Sequence, residues 1–120
     1  RVLVAEDTTT NQMLLKAILS KWGCVVDFAG DGKEALEKLK ANTYDLCLMD
    51  LQMPVMGGLE ATLILRREIS KDLPVIALTA AVLDEDRFKC MEAGMTDFIA
   101  KPIRVDELRD KISKIGRPAV

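Results

Sequence analysis

Apolar and polar positions follow two rhythms along this chain. Short runs at Val2–Ala5, Cys24–Phe28, Leu46–Met49, Val75–Leu78 and Phe98–Ala100 have the composition of strands covered on both faces. Between them, apolar residues recur at three- and four-residue spacing, as one face of a helix requires. Helix one carries Leu15, Ile18, Leu19 and Trp22; helix two carries Ala35, Leu36 and Leu39; helix three carries Ala61, Leu65 and Ile69. The last helix places Val105, Leu108, Ile112 and Ile115 on one face. The fourth, near Leu83–Ala93, has the least distinct stripe, diluted by Asp84–Glu85–Asp86–Arg87. Asp31 and Gly32 mark the start of helix two, and Gly94 marks the end of helix four. No repeat, linker or low-complexity tract interrupts the series.

Strands alternating with helices predict an α/β fold: a parallel sheet covered on both faces and joined by right-handed crossovers. In such a sheet every strand ends on the same rim. Strand one ends at Glu6–Asp7, strand three at Asp50, strand four at Thr79 and strand five at Lys101. Open α/β sheets bind ligands at that rim, where the strand order reverses. Three carboxylates, a hydroxyl and an amine are therefore expected to converge.

Composition narrows the classes. With 120 residues, 49% hydrophobic and 30% charged, the chain is one folded domain (1–120) with a core that needs no metal or disulfide staple. A net charge of −2, with Lys and Arg dispersed, argues against a nucleic-acid groove. The longest uncharged stretch, Leu73–Leu83, is too short to cross a bilayer, so no membrane contact by this domain is expected. The chain enters a strand at Val2 with no leader pattern, as a domain within a longer protein would. Cys24, Cys47 and Cys90 are odd in number and lack CxxC spacing. They are read as reduced, buried thiols of a cytoplasmic protein, two in strands and one in a helix. The sequence holds no histidine, which removes the commonest general base and zinc ligand.

Three clustered carboxylates repel by about 4 kcal/mol per pair at 4 Å and an effective dielectric near 20. Either one of them keeps its proton or a cation sits among them. Hard oxygen ligands on an open rim suit Mg²⁺, which keeps several waters and shares phosphate oxygens. Lys101 and Thr79 would then suit a phosphoryl group, whose transfer rests on positioning and charge neutralisation. Asp50, central on its strand, has the chemistry of an aspartyl-phosphate nucleophile.

The stretches VAED (4–7), LMDLQMP (48–54), GG (57–58), LTA (78–80) and FIAKP (98–102) resemble, in order and spacing, a response-regulator receiver domain over essentially the whole chain. With Asn11–Gln12 and LMDLQMPVMGGLEAT, the chain looks most like receivers of hybrid sensor histidine kinases. That resemblance implies a flavodoxin-like (βα)5 sheet of order 2-1-3-4-5. It implies phosphoryl transfer onto Asp50 from a histidine kinase or histidine phosphotransfer protein. Mg²⁺ would be held by Glu6, Asp7, Asp50 and the backbone carbonyl of Gln52. Lys101 and Thr79 would grip the phosphoryl oxygens, and Phe98 matches an aromatic position whose rotamer reports the switch. A phosphorylation-dependent dimer and a cis Lys101–Pro102 bond also belong to that expectation. So does a domain that promotes its own phosphorylation and dephosphorylation. Thr8 stands where such receivers often carry Asn.

Taken singly, these residues have plainer readings. Glu6 and Asp7 alone would be helix-capping acids, Thr79 a β-branched strand residue and Lys101 a surface amine. Phe98, Trp22 and the methionines read as packing. Thr8–Thr9–Thr10 lacks the Gly of a flavin phosphate loop and follows two carboxylates that would repel a phosphate. A haloacid-dehalogenase-like Mg²⁺-dependent phosphatase also uses a strand-end Asp, but it needs a second Asp two residues on, where this chain has Gln52. A receiver-like module that docks without phosphorylation is the third alternative.

Overall fold

The computed structural model describes residues 1–79 and 84–115, the side chains of 84–86, 114 and 115 excepted. Ala80 of the LTA stretch, Leu83, the Ile115 side chain and the terminal residues 116–120 of the expected domain lie outside that description. Among the described residues, five strands alternate with five helices: β1 (Val2–Ala5), α1 (Thr9–Lys21), β2 (Val26–Ala29), α2 (Gly32–Ala41), β3 (Leu46–Asp50), α3 (Gly58–Ile64), β4 (Val75–Thr79), α4 (Asp84–Ala93), β5 (Asp97–Ala100) and α5 (Val105–Ile115). A π-helical turn, Leu65–Ile69, extends α3. All pairings are parallel, and the strand order is β2-β1-β3-β4-β5.

Alternation along each strand builds two cores. Leu3, Ala5, Cys47, Met49, Val75 and Ala77 face one side, where Ala35, Leu36, Leu39, Ala61, Leu65 and Cys90 of α2–α4 cover them. Val2, Val4, Leu46, Leu48, Ile76, Leu78 and Ile99 face the other, against Leu15, Ile18 and Leu19 of α1 and Leu108 of α5. The three central strands are buried on both faces, which is why their sequences read as unbroken apolar runs.

Several local expectations shift. Cys24 is not in β2; its N–H donates to Leu19 O, and Gly23 at φ +80° turns the chain off α1. It is half-buried, while Cys47 and Cys90 are buried as expected. β3 and β4 each run one residue further, so Asp50 and Thr79 are the last residues within their strands. Val105 opens α5 and is 42% exposed instead of facing the core. Trp22 caps the end of α1, half-buried, with the Arg109 guanidinium 5.5 Å from its ring. Asp31 caps α2 by accepting the Glu34 N–H, and Gly94, at φ +102°, follows α4.

Candidate functional site

Side-chain parity assembles the site. Continuing the alternation of β1, β3 and β5 past Val4, Leu48 and Ile99 puts Glu6, Asp50 and Lys101 on the α1/α5 side of the rim. Thr79 continues from Ala77 on the opposite side, which it shares with Phe98, the strand partner of Ala77. Asp50 pairs with Leu78, one residue before Thr79, and the Lys101 N–H donates to Thr79 O at 2.7 Å. The chain then turns through a cis Lys101–Pro102 bond.

Glu6 is fully buried and Asp50 nearly so, whereas Asp7 is exposed. One carboxylate oxygen from each lies within 4.8 Å of the others, close enough to share one cation. The Lys101 ammonium reaches two of them, Asp50 Oδ2 at 2.8 Å and Glu6 Oε1 at 3.0 Å. Burial works to lower the Lys101 pKa, but hydrogen bonds to Asp50 and Glu6 outweigh it and hold the group above its ordinary value. The remaining oxygens are oriented by backbone. Asp50 Oδ1 accepts the Gln52 N–H at 3.0 Å, and Glu6 Oε2 accepts the Thr8 N–H at 2.9 Å. Thr8 thus serves the first loop through its backbone, and as N-cap of α1 it makes no side-chain cap bond.

The loop after Asp50 is shaped by its small residues. A Cβ on Gly58 would lie 2.3 Å from Asp50 O, and one on Gly57 2.9 Å from Leu51 O. Only glycine lets the start of α3 approach the strand end so closely. Val55 occupies the left-handed region at φ 66°, in a turn closed by Met56 N–H donating to Pro54 O at 2.6 Å. For a β-branched residue this conformation is strained, and such strain concentrates at functional loops.

Two bonds to backbone carbonyls complete the frame. Gln12 Nε2 donates to Glu6 O at 2.5 Å, which ties α1 to the acidic loop. The Gly32 N–H donates to Met56 O at 2.9 Å, which ties α2 to the loop after Asp50. Both bonds engage backbone carbonyls, which any residue offers, so a motif search has no signal for them. Thr79 is buried, Phe98 is half-buried, and Gln52 is exposed.

A buried carboxylate oriented by a backbone N–H still has lone pairs for a metal or an electrophile. With two more carboxylates beside it and an ammonium above it, the rim can hold a hard divalent cation and an anionic group together. Asp7 and Gln52 leave its outer side open to solvent.

Known proteins share this sequence pattern and fold. The family model of the response regulator receiver domain matches residues 2–113. Hybrid signal transduction histidine kinase I of Dictyostelium discoideum is 42% identical over 94% of this chain, which spans 7% of that kinase. Autoinducer 2 sensor kinase/phosphatase LuxQ of Vibrio vulnificus is 41% identical over 93% of the chain, which spans 13% of it. Among solved structures, the receiver domain of a sensor histidine kinase from Pseudomonas aeruginosa, with magnesium in its active-site cleft, superposes with a TM-score of 0.88. That pair is 38% identical, with 97% of each chain covered. Response regulator TrrA of Thermotoga maritima, bound to Mg²⁺ and BeF, gives a TM-score of 0.87 at 33% identity, covering 97% of this chain and 98% of its own.

Proposed function

The chain belongs to the response-regulator receiver family and is homologous to hybrid-kinase receivers, and on that premise we propose that Asp50 accepts a phosphoryl group from a partner's phosphohistidine. The observation that carries this reading is the Lys101 ammonium bonded to Asp50 and Glu6 beside the exposed Asp7. An Asp50 oxygen attacks phosphorus as the phosphorus–nitrogen bond breaks and its electron pair leaves on the imidazole nitrogen. Lys101 passes from the Asp50 carboxylate to the phosphoryl oxygens, and the Thr79 hydroxyl donates to another of them. Glu6, Asp7, Asp50 and the Gln52 carbonyl would hold Mg²⁺, whose charge neutralises the transferring oxygens. Thr79 and Phe98 share one side of the sheet, so capture of the phosphoryl by Thr79 is read by the half-buried Phe98 ring.

The donor is a histidine kinase or histidine phosphotransfer protein, since this sequence has no histidine of its own. The likeness to hybrid kinases favours a parent chain of that kind and a cytoplasmic location. No helix among the described residues is long and apolar enough to cross a membrane. The phosphatase alternative has Gln52 where it needs an acid, and that residue's backbone N–H engages Asp50.

Incubation with acetyl phosphate and Mg²⁺ tests the reading by intact mass. One phosphoryl group is expected on the wild type, none on Asp50→Asn and none in EDTA. Phosphorylation of the Asn variant would overturn the assignment of Asp50. Phosphorylation without a kinase would also show that the domain promotes its own modification, and turnover of phosphate esters would favour the phosphatase.

A further inference from the structure

The Asp7 carboxylate is held differently from the two beside it. Glu6 and Asp50 are each bonded by the Lys101 ammonium and by a backbone N–H, from Thr8 and Gln52 respectively. Asp7 is exposed, and among the described residues no hydrogen bond or ion pair reaches its carboxylate. Its direction therefore comes from the backbone that carries it, the peptide joining Glu6 to Asp7. The Glu6 N–H still belongs to the sheet, donating to Ala29 O at 2.9 Å. The Glu6 carbonyl is held from α1 instead, by Gln12 Nε2 at 2.5 Å.

Helix geometry explains why position 12 can do this. Gln12 is the fourth residue of α1, and its own N–H closes the first turn on Thr8 O at 3.0 Å. Side chains on a helix lean toward its N-terminus, so a long one here reaches back over the opening turn to the strand end. Glutamine supplies a donor without a charge, which leaves the attraction of the acidic trio for a cation undiminished. The side chain is half-buried, so water competes less for the bond.

We propose that Gln12 is a positioning residue for the metal: by fixing the Glu6–Asp7 peptide it aims the Asp7 carboxylate, and so sets the preference of the rim for Mg²⁺ over Ca²⁺. This role rests on the Mg²⁺ reading above. Mg²⁺ demands near-ideal octahedral geometry, whereas Ca²⁺ accepts more oxygens in looser arrangements. A carboxylate with no bond of its own meets the stricter demand only when its backbone is still. Freed from Gln12, Asp7 ranges more widely, which Ca²⁺ tolerates and Mg²⁺ does not.

Two substitutions separate the donor from the reach. Gln12→Met keeps the length of the side chain and removes its donor, and Gln12→Asn keeps the amide one methylene too short. In titrations followed by amide chemical shifts, Mg²⁺ affinity is expected to fall about five- to tenfold in both. Ca²⁺ affinity should change less than about twofold. In the Asp7→Ala background, Gln12→Met should alter Mg²⁺ affinity by less than about twofold, because the group it aims is gone. Amide exchange on the metal-free protein reads the pin itself. The Thr8 N–H, bonded to Glu6 Oε2, should exchange about two- to tenfold faster in Gln12→Met, and Val4, inside β1, at the wild-type rate. Equal losses of Mg²⁺ and Ca²⁺ affinity, a loss that persists in full without Asp7, or wild-type affinity in Gln12→Asn would each overturn the role. Unchanged Thr8 exchange would overturn the pin, whereas a wild type whose rim amides ignore Mg²⁺ would overturn the metal reading itself.

Discussion

Lys101 Nζ donates to Asp50 Oδ2 at 2.8 Å, and the same ammonium reaches Glu6 Oε1 at 3.0 Å. One cation therefore neutralises two buried carboxylates that enter from different strands. Lys101→Met keeps the stem and removes the charge, leaving both acids without that partner. Stability in EDTA is expected to fall by about 2–4 kcal/mol, and Mg²⁺ to restore part of it by serving the same carboxylates. The Lys101 pKa is raised, so its contribution is complete below the ordinary lysine range and lost as pH climbs through the folded value. Urea titrations with and without Mg²⁺ measure this; equal losses in both would separate Lys101 from the metal site.

Asp7 is the exposed member of the acidic trio. Asp7→Ala removes one like charge from the cluster and leaves the Lys101 bridge intact. Mg²⁺ affinity by calorimetry is expected to fall roughly tenfold or more, the factor that 1.4 kcal/mol represents. The metal-free Tm should hold or rise, as active-site acids trade stability for function. A large fall in Tm would show that Asp7 supports the fold.

Val55 carries backbone strain with little packing to justify it, being 78% exposed at φ 66°. Val55→Asn removes β-branching and tolerates the left-handed region. A gain of about 1 kcal/mol, a few degrees in Tm, is expected. An unchanged Tm would mean that the turn relaxes without the substitution.

Much of this was legible in the sequence. Glu6, Asp7, Asp50, Thr79 and Lys101 were readable as one cluster because a parallel sheet sends every strand end to one rim. Other features rest on contacts that leave no side-chain pattern. Cys24 looked like the start of a strand because its apolar run continues, yet its N–H closes the end of α1. The π-turn at Leu65–Ile69 follows helix-forming residues with no breaker to mark it, so the helical pattern carries no signal for it. Val105 fits the helical stripe but begins its helix beyond the edge of the core.

At the opposite rim, Tyr44 donates its hydroxyl to Asp27 Oδ2 at 2.7 Å, and the Arg1 guanidinium pairs with the same carboxylate oxygen. Burial, then the bond to Asp27, pushes the Tyr44 phenol up to about 12, while that same bond holds Asp27 below its usual value. A raised phenol pKa stabilises the fold fully below pH 10 and progressively less between about 10 and 12. Tyr44 is the only tyrosine, so tyrosinate absorbance reads it directly. A midpoint near 12 is expected, moving part of the way toward 10 in Asp27→Asn, because burial is the larger cause. A wild-type midpoint at 10 would contradict the burial.

The sharpest test of how the fold aims Asp50 is Gly58→Ala. Its Cβ would fall 2.3 Å from Asp50 O and 2.9 Å from Met49 Cγ. Asp50 cannot yield easily, because β3 is laddered on both sides, to β1 and β4. The start of α3 must retreat instead, which stretches the Gly58 N–H bond to Leu51 O and displaces the loop whose Gln52 N–H orients Asp50 Oδ1. Overpacking of this kind costs about 1–3 kcal/mol. Gly23→Ala is the control: at φ +80° with nothing within 4 Å of its Cβ, it suffers backbone strain alone, about 1 kcal/mol, away from the rim. Gly58→Ala should therefore slow Mg²⁺-dependent phosphorylation by acetyl phosphate, while Gly23→Ala loses stability and keeps the wild-type rate. If both variants, compared where each is fully folded, phosphorylate at the wild-type rate, the close approach of α3 is not what orients the acceptor.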